Sequence, residues 1–252
     1  MTDPALSPPA FLDRADGLRL AYRFRDGAGP VITFLPGYMS DMQGGKAIAL
    51  DDWAAAHGRA MLRLDYGGNG ESDGDFEDGT LASWRDDALA VIDAVVPGRP
   101  LLLVGSSMGG WIALLLGQML DGRLAGLVGI AAAPDFTEWG FSDDQKAAIA
   151  RDGKLVEETP YGARPYVTTC GFWTSGQALR LLESEIAIDA PVRLLQGQAD
   201  PDVPWQTTLR IADALRSADV QTILVKDGDH RLSRPQDIAL LIATVTSLSE
   251  PV

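Results

Sequence analysis

Short apolar runs recur along the chain and alternate with longer segments of helical periodicity. Apolar runs of this kind, bounded by glycine-rich loops, are typical of strands buried in a sheet. The segments between them place apolar residues three and four positions apart, as expected of helices that cover a sheet. The predicted strands are residues 18–24, 31–35, 60–64, 101–104, 124–130, 192–196 and 220–225. The predicted helices are residues 46–57, 80–96, 108–120, 207–217 and a last one from about residue 235.

This alternation predicts an α/β fold, with a mostly parallel central sheet and helices on both faces. It breaks at residues 135–188, which are richer in aromatic residues, proline and charge and contain no clear strand. We therefore expect a small helical cap at 135–188, inserted between core parts at 1–134 and 189–252. The alternative is that residues 135–188 are ordinary helices of the sheet layer. The first ten residues, with three prolines, are expected to be a loose lead-in.

The pentad Gly-Ser-Ser-Met-Gly at residues 105–109 follows a predicted strand and opens a predicted apolar helix. In the pattern Gly-x-Ser-x-Gly, a strand turns sharply into a helix and leaves the middle serine at a strained apex. Glycines two positions before and after that serine keep side chains from colliding across the turn. Ligands of open parallel sheets bind at the carboxyl ends of strands, where this turn lies. Ser107 is therefore the predicted nucleophile, and Ser106, which lacks framing glycines, is a local neighbour.

A serine nucleophile needs a neighbouring base, and the chain contains two histidines. His57 ends a predicted helix, where it would act as a cap. His230 follows the last predicted strand and is the predicted general base. A carboxylate must orient that histidine, and the loop after the preceding strand offers Asp200 and Asp202. Its position nearer the strand end favours Asp200, with Asp202 as the alternative.

A serine mechanism also needs two backbone amides that stabilise a tetrahedral oxyanion. The residue after the predicted nucleophile, Met108, supplies the first expected donor. The second should come from the loop after strand 31–35, where Tyr38 follows Gly37. The sequence thus predicts an oxyanion hole made by the amides of Tyr38 and Met108.

Composition argues against several other kinds of chemistry. The formal net charge of −14 repels nucleic acid and anionic membranes, so neither is an expected partner. The sequence has no dinucleotide fingerprint, phosphate loop or Cys/His cluster, so no cofactor and no metal are predicted. The single cysteine, Cys170, excludes an internal disulfide and is not expected to be catalytic. The acidic pairs Asp51-Asp52 and Asp143-Asp144 are interpreted as solvated helix starts.

The N-terminal segment has no basic start and no long apolar run, so neither a signal peptide nor a transit peptide is expected. No window approaches about 18 uninterrupted apolar residues, and no membrane span is predicted. Together with the single cysteine, these features predict a cytoplasmic protein.

The order Ser107, Asp200, His230 is that of the α/β-hydrolase fold, which the chain resembles over nearly its whole length. More closely, it resembles the family of abhydrolase-domain-containing protein ten. The segments that carry this resemblance are LPGYMSDMQGGKA, LDYGGNGESDG, WRDD, LVGSSMGGW, RLLQGQADPDVPW and DGDHR. The resemblance implies a palmitoyl-protein thioesterase or acyl-glucuronide esterase with an inserted cap. It also implies a catalytic triad and an oxyanion hole made of the residues named above. The Ala-, Gly-, Asp- and Arg-rich composition indicates a bacterial relative.

The first functional hypothesis is a serine esterase or thioesterase that acts on a small-molecule acyl ester or thioester. Its acyl pocket would use aromatic residues of the inserted segment, namely Phe136, Trp139, Phe141, Tyr161, Tyr166, Phe172 and Trp173.

A second hypothesis keeps the same fold and triad but changes the reaction, to carbon–carbon bond hydrolysis or to peptide hydrolysis. In an aminopeptidase, Glu138, Glu157 or Glu158 would bind the free amino terminus of the substrate. A third hypothesis is a non-catalytic ligand-binding homologue. The oligomeric state is left open by the sequence.

Overall fold

The computed structural model describes residues 8–120, 122–159 and 164–249. Its strands are β1 (Ala10–Asp13), β2 (Arg19–Arg25), β3 (Ala28–Leu35), β4 (Arg59–Leu64), β5 (Leu101–Ser106), β6 (Leu124–Ile130), β7 (Lys154–Glu157), β8 (Tyr166–Thr169), β9 (Val192–Gly197) and β10 (Val220–Val225). Its helices are α1 (Gly45–Ala56), α2 (Leu81–Val95), α3 (Met108–Met119), α4 (Phe136–Trp139), α5 (Asp143–Asp152), α6 (Cys170–Ala178), α7 (Gln206–Ala214) and α8 (Pro235–Ser249). Every strand and helix predicted from periodicity is present, with ends that agree to within three residues.

Eight strands form one sheet in the order β1-β2-β4-β3-β5-β6-β9-β10. The pairs β1–β2 and β2–β4 are antiparallel, and all the other pairs in this sheet are parallel. The chain goes from β3 to β4 on one side and later places β5 on the other side of β3. The carboxyl ends of β3 and β5 are therefore neighbours, with Leu35 paired to Gly105. Such a switch in strand order opens a crevice for ligands at the carboxyl edge of the sheet.

Helices cover both faces of this sheet, as predicted. On one face, Leu50 of α1 and Val245 of α8 pack in a buried cluster with Ile32 of β3. On the other face, Trp111 of α3 packs in a second cluster with Val31, the next residue along β3. Successive residues of β3 therefore serve opposite faces, as the pleat of a strand requires. Full burial of each such side chain contributes about 1.5–3 kcal/mol. No helix among the described residues is both long and apolar enough to cross a membrane.

The prediction of a loose lead-in over the first ten residues is wrong at its last residue. Ala10 begins β1, which pairs with β2 at the edge of the sheet. Residues 1–7 of that lead-in lie outside the described residues. The strand has four residues and lies mostly in solvent, so it carries almost no hydrophobic periodicity. Its position follows from backbone pairing with β2, which the pattern of side chains does not reveal.

Asp51 is not a solvated helix start. It lies in the middle of α1 and is buried, and its carboxylate accepts hydrogen bonds from Arg63 at 2.6 Å and from Arg25 at 2.9 Å. A buried carboxylate needs such partners, and here they come from β2 and β4. Asp143 and Asp144 do begin α5 and are exposed, as predicted.

The segment between β6 and β9 contains α4, α5, α6 and a two-stranded antiparallel sheet of β7 and β8. The prediction that residues 135–188 contain no strand is therefore wrong, since a two-residue period is hard to detect over four residues. Asp135 lies at the start of the segment with a left-handed φ of 60°. Its buried carboxylate accepts from the amides of Leu181 at 2.7 Å and Leu182 at 2.8 Å. This side chain therefore holds the start of the segment beside its final part.

Candidate active site

The turn from β5 into α3 places Ser107 at a strained apex. Its backbone has φ 55° and ψ −119°, a region that residues with a side chain rarely adopt. The Ser107 amide donates to the Ile130 carbonyl at 2.9 Å, and the Ser107 carbonyl accepts from the Ala133 amide at 3.1 Å. Hydrogen bonds to the end of β6 and the loop beyond it therefore hold the strained residue at the carboxyl edge of the sheet.

Three glycines leave room for this turn. A Cβ atom on Gly105 would overlap the Gly109 carbonyl oxygen, and one on Gly109 would overlap the carbonyl oxygen of Leu35. A Cβ atom on Gly37 would lie 3.4 Å from the Cβ atom of Ser107. The two glycines of the pentad thus reflect two close backbone approaches, one within the turn and one to the end of β3. Gly37 brings the loop after β3 against the serine.

His230 and Asp200 form a hydrogen-bonded chain with Ser107. His230 Nε2 lies 3.1 Å from Ser107 Oγ, and His230 Nδ1 lies 2.9 Å from Asp200 Oδ2. Asp200 and His230 follow β9 and β10, which are adjacent parallel strands. The structure thus brings together the three side chains that the sequence predicts as a triad. His57 instead ends α1, with its Nδ1 2.7 Å from the Trp53 carbonyl oxygen.

The Asp200 carboxylate lies in a dense set of donors. Its Oδ1 accepts from the amides of Asp202 at 2.8 Å and Val203 at 2.9 Å. Its Oδ2 accepts from Gln196 Nε2 at 2.9 Å in addition to His230. Burial raises the pKa of Asp200, but the bonds from His230 and from the loop amides outweigh burial and hold that pKa below its usual value. Asp202, the alternative from the sequence, contributes a backbone amide to this arrangement.

Asp200, Asp202 and His230 each bring one potential metal-ligating atom within 4.8 Å of the others. Both ring nitrogens of His230 already face protein groups, Nδ1 towards Asp200 and Nε2 towards Ser107. A cation would have to displace one of these contacts. This cluster therefore suits proton transfer better than metal binding, and the expectation of no metal stays a prediction.

The amides of Tyr38 and Met108 reach the Ser107 turn from two different chain segments. Met108 is the first residue of α3, and Tyr38 follows Gly37 in the loop after β3. Across residues 8–120, 122–159 and 164–249, neither amide donates a hydrogen bond to another protein group. Met108 directly follows Ser107, and Gly37, the residue before Tyr38, lies against the Ser107 side chain. Two N–H groups in these positions are what an oxyanion hole requires, and the start of a helix favours negative charge there.

A cleft of about 1250 Å³ lies over Ser107 and His230. Of the seven aromatic residues predicted for an acyl pocket, four line this cleft: Phe136, Trp139, Phe141 and Tyr166. Phe172 is buried in the core, and Trp173 donates from its indole nitrogen to the Thr137 carbonyl at 2.9 Å. Tyr161 lies outside the described residues. The segment between β6 and β9 therefore contributes much of the apolar wall.

Lys46 and Arg231 also line the cleft, and the sequence analysis did not identify them as site residues. Lys46 Nζ donates to the Arg231 carbonyl at 2.5 Å, which ties the start of α1 to the loop that carries His230. Burial, and then the positive charge of Arg231, lower the pKa of Lys46 to about 8. The two residues are 185 positions apart and share no motif, so only the fold brings them together.

Comparison with known proteins places this site in a family. A family model described as "Serine aminopeptidase, S33" matches residues 29–164, and one described as "TAP-like protein" matches residues 160–242. The human protein named "Palmitoyl-protein thioesterase ABHD10, mitochondrial" is 38% identical over 248 residues, which cover 95% of this chain and 79% of that protein. The mouse protein of the same name is 39% identical over 243 residues, covering 95% and 82%.

Two solved structures agree closely with this fold. A putative hydrolase from Agrobacterium vitis S4 has a TM-score of 0.89 and 41% identity, covering 97% of this chain and 100% of that chain. The mouse alpha/beta hydrolase domain-containing protein 10 also has a TM-score of 0.89, with 37% identity, covering 96% and 98%. The predicted fold and the predicted resemblance are both confirmed. The chain therefore belongs to the α/β-hydrolases and, within them, to the ABHD10 family.

Proposed function

We propose that this protein is a serine hydrolase that cleaves carboxylic ester or thioester bonds through an acyl-enzyme on Ser107. The observation that carries the proposal is the chain of hydrogen bonds from Ser107 through His230 to Asp200 beneath a large cleft. The names of the ABHD10 relatives, which are palmitoyl-protein thioesterases, support an acyl substrate and favour a thioester among the alternatives.

In the first step, Ser107 Oγ attacks the acyl carbonyl carbon while His230 Nε2 takes the hydroxyl proton. Asp200 keeps the Nδ1–H tautomer of the histidine and stabilises the imidazolium that forms. The carbonyl oxygen becomes an oxyanion, which the amides of Tyr38 and Met108 stabilise by hydrogen bonds. When the tetrahedral intermediate collapses, the bond to the leaving alcohol or thiol breaks, and His230 returns the proton to it.

In the second step, a water molecule attacks the acyl group on Ser107. His230 again takes a proton, now from the water, and then gives it back to Ser107 Oγ as the ester bond breaks. The carboxylic acid leaves and the free enzyme is restored. Both half-reactions use the same two amides, because the oxyanion forms at the same place each time.

The acyl group is proposed to lie against the inserted segment, with residues 135–188 acting as a cap on the cleft. Four of its aromatic side chains line the cleft, and apolar walls with a few polar groups are typical of sites for small acyl substrates. Lys46 and Arg231 lie on the side of His230, which protonates the leaving group. The leaving alcohol or thiol would therefore depart past these two cations.

The test compares kcat/KM for one octanoyl chain presented as an oxygen ester and as a thioester, with Ser107→Ala as the inactive control. A fluorophosphonate should add its mass to Ser107 in the wild type and not in the variant. Retention of activity by Ser107→Ala, or failure of the wild type to react with the phosphonate, would overturn the proposal. A clear preference for the thioester would support a thioesterase, and the reverse a carboxylesterase.

Aminopeptidase activity is the second candidate, because the family model that matches residues 29–164 carries that description. Glu157 lines the cleft, whereas Glu138 pairs with Lys146 and Arg180 outside the cleft lining. An aminoacyl arylamide is the matched substrate. If the wild type hydrolyses the arylamide faster than the octanoyl ester, and if Glu157→Gln lowers the arylamide rate, the protein is an aminopeptidase instead.

The cytoplasmic location and the bacterial origin stay predictions. The ABHD10 relatives are named as mitochondrial proteins, which describes those proteins. Fractionation of the source cells, followed by detection with an antibody, would test the location directly.

A further inference from the structure

The side chain of Tyr38 connects the loop after β3 to the small sheet of β7 and β8. Its hydroxyl donates to the Val167 carbonyl of β8 at 2.5 Å. Burial raises the pKa of Tyr38 above its usual value, so the hydroxyl stays protonated and remains a donor. The residue whose amide is proposed to bind the oxyanion is thus attached through its phenol to a strand of the inserted segment.

The Tyr38 ring lies among aromatic side chains from several elements. The ring centroids closest to it belong to Phe172 at 4.8 Å and Phe76 at 5.2 Å. Trp84, Phe136 and Tyr166 complete the set at 5.9, 6.0 and 6.1 Å. These rings confine the plane of the phenol, and the bond to Val167 then determines how far it extends towards β8. Ring and hydroxyl together restrict the backbone to which they are attached.

The loop that carries Tyr38 has defined anchors before and after it. Before it, the Tyr66 hydroxyl donates to the Pro36 carbonyl at 3.1 Å. After it, the Met42 amide donates to the Asp65 carboxylate at 2.7 Å. Between these points the backbone passes through a positive φ of 53° at Met39. A strained backbone persists only when its surroundings hold it, and the Tyr38 phenol is the side-chain anchor in the middle of this stretch.

We propose that Tyr38 is a positioning residue: the hydrogen bond from its hydroxyl to Val167 directs the Tyr38 backbone amide at the oxyanion. Strand β8, which lines the acyl side of the cleft, would then also fix the geometry of the oxyanion hole. The inference rests on the proposed function. Tyr166, Val167 and Thr168 of β8 line the cleft. An acyl chain that packs against β8 therefore contacts the same strand to which the Tyr38 side chain is bonded.

This arrangement affects the transition state more than substrate binding. Full negative charge on the carbonyl oxygen exists only while the tetrahedral intermediate forms and breaks down, and the Tyr38 amide acts at that stage. A misdirected amide lowers kcat, because small misplacements of a donor are costly there. It changes KM little, because the acyl chain still meets the same cleft walls.

The test is Tyr38→Phe, which removes the hydroxyl and keeps the ring. Rates are normalised to sites titrated with a fluorophosphonate, so that misfolded protein does not count. We expect kcat for an octanoyl ester to fall about tenfold, less than the loss for deleting a whole donor, with KM within about twofold. The matched control is Tyr22→Phe, which removes a phenol hydroxyl from β2, outside the cleft lining, and leaves the Tyr38–Val167 bond in place.

A thiono ester, in which sulfur replaces the carbonyl oxygen, reports on the hole itself because sulfur is a weak acceptor. In the wild type the oxygen ester should react much faster than the thiono ester, and Tyr38→Phe should reduce that ratio about fivefold or more. Tyr22→Phe should leave the ratio unchanged. A ratio in Tyr38→Phe equal to that of the wild type, or an unchanged kcat, would overturn the positioning role. Absence of phosphonate labelling in the wild type would instead overturn the proposed function.

Discussion

At the scale of single residues, Asp200 and Asp202 show how two neighbouring carboxylates take different places. The side chain of Asp200 is bonded to His230, whereas the Asp202 amide donates to Asp200. Sequence position favoured Asp200 without deciding between them. The decision depends on the loop after β9, which folds back so that its own amides surround one carboxylate. Such a turn is not visible in the residue types alone.

We expect Asp200→Asn to lower kcat by about 10³–10⁴ while the protein stays folded. The amide would donate to His230 Nδ1 and stabilise the tautomer that cannot take a proton from Ser107. Steady-state kinetics on an octanoyl ester, with circular dichroism to verify folding, measure this effect. Asp202→Asn is the matched control and should stay within about threefold of the wild type, since its backbone amide remains. An inactive Asp202→Asn beside an active Asp200→Asn would reverse the assignment.

The strain at Ser107 predicts an unusual order of stabilities. Glycine adopts the observed backbone without penalty, whereas alanine keeps the strained Cβ atom and loses the same hydroxyl. Ser107→Gly should therefore be more stable than Ser107→Ala by about 1 kcal/mol, and both should be inactive. Thermal unfolding monitored by calorimetry compares the two. The opposite order, which is normal within strands and helices, would show that the turn is relaxed.

At the scale of elements, predictability followed the amount of apolar surface that each element buries. Every residue of β5 is buried, and so is Met108, whereas Ser107 between them is partly exposed. The sequence located this stretch from its apolar run and its glycines. The strands β7 and β8 were missed because they have four residues each and are only partly buried. The partners of Asp51 were missed because they lie in other strands. Local sequence pattern therefore identified the strands and helices of the sheet, while the structure of the segment between β6 and β9 depends on contacts between distant residues.

Asp65 joins two of the loops that line the cleft, and its charge makes that connection sensitive to pH. It follows β4 and accepts from the amides of Met42 at 2.7 Å and Glu71 at 2.9 Å. Burial raises its pKa from 3.8 to about 6, and the nearby charges of Asp41 and Glu71 add to the rise. Because the pKa is higher in the folded chain, folding favours the protonated carboxyl. Its contribution to stability is present below about pH 4 and is lost as the pH rises through about 6.

The matching measurement is the free energy of unfolding of the wild type and of Asp65→Asn at several pH values from about 4 to 7. Relative to the variant, the wild type should lose up to about 3 kcal/mol over that range. The control is Asp52→Asn, at an exposed position of α1. Its free energy of unfolding should change with pH by the same amount as that of the wild type. A constant difference between wild type and Asp65→Asn would mean that Asp65 titrates near its ordinary pKa.

At the scale of the whole molecule, charge acts over two distances. The net charge of −14 repels an anionic substrate from afar, whereas Lys46 and Arg231, which line the cleft together with acidic residues such as Asp41, favour an anion placed directly beside them. Salt screens the first effect more strongly, because the Debye length is about 8 Å at physiological ionic strength. Long-range repulsion mainly slows association, and attraction within the cleft mainly slows departure.

For an octanoyl thioester with a carboxylate on its leaving group, kcat/KM should therefore rise about two- to fivefold when salt increases from about 10 to 150 mM. The same thioester with a neutral leaving group should change little and serves as the control. A rate for the anionic substrate that falls with salt would mean that the cations of the cleft outweigh the global charge. Lys46→Met should then remove that dependence.

The single side chain of Asp135 joins the start of the segment beyond it to its final part and makes that segment an almost closed loop. Closing a longer loop costs only slightly more entropy than closing a shorter one, since the cost grows with the logarithm of length. The sheet therefore tolerates segments of different length and shape on the same attachment. A change in the length or shape of that loop would therefore alter what the cleft accepts while the strands that position the triad keep their places.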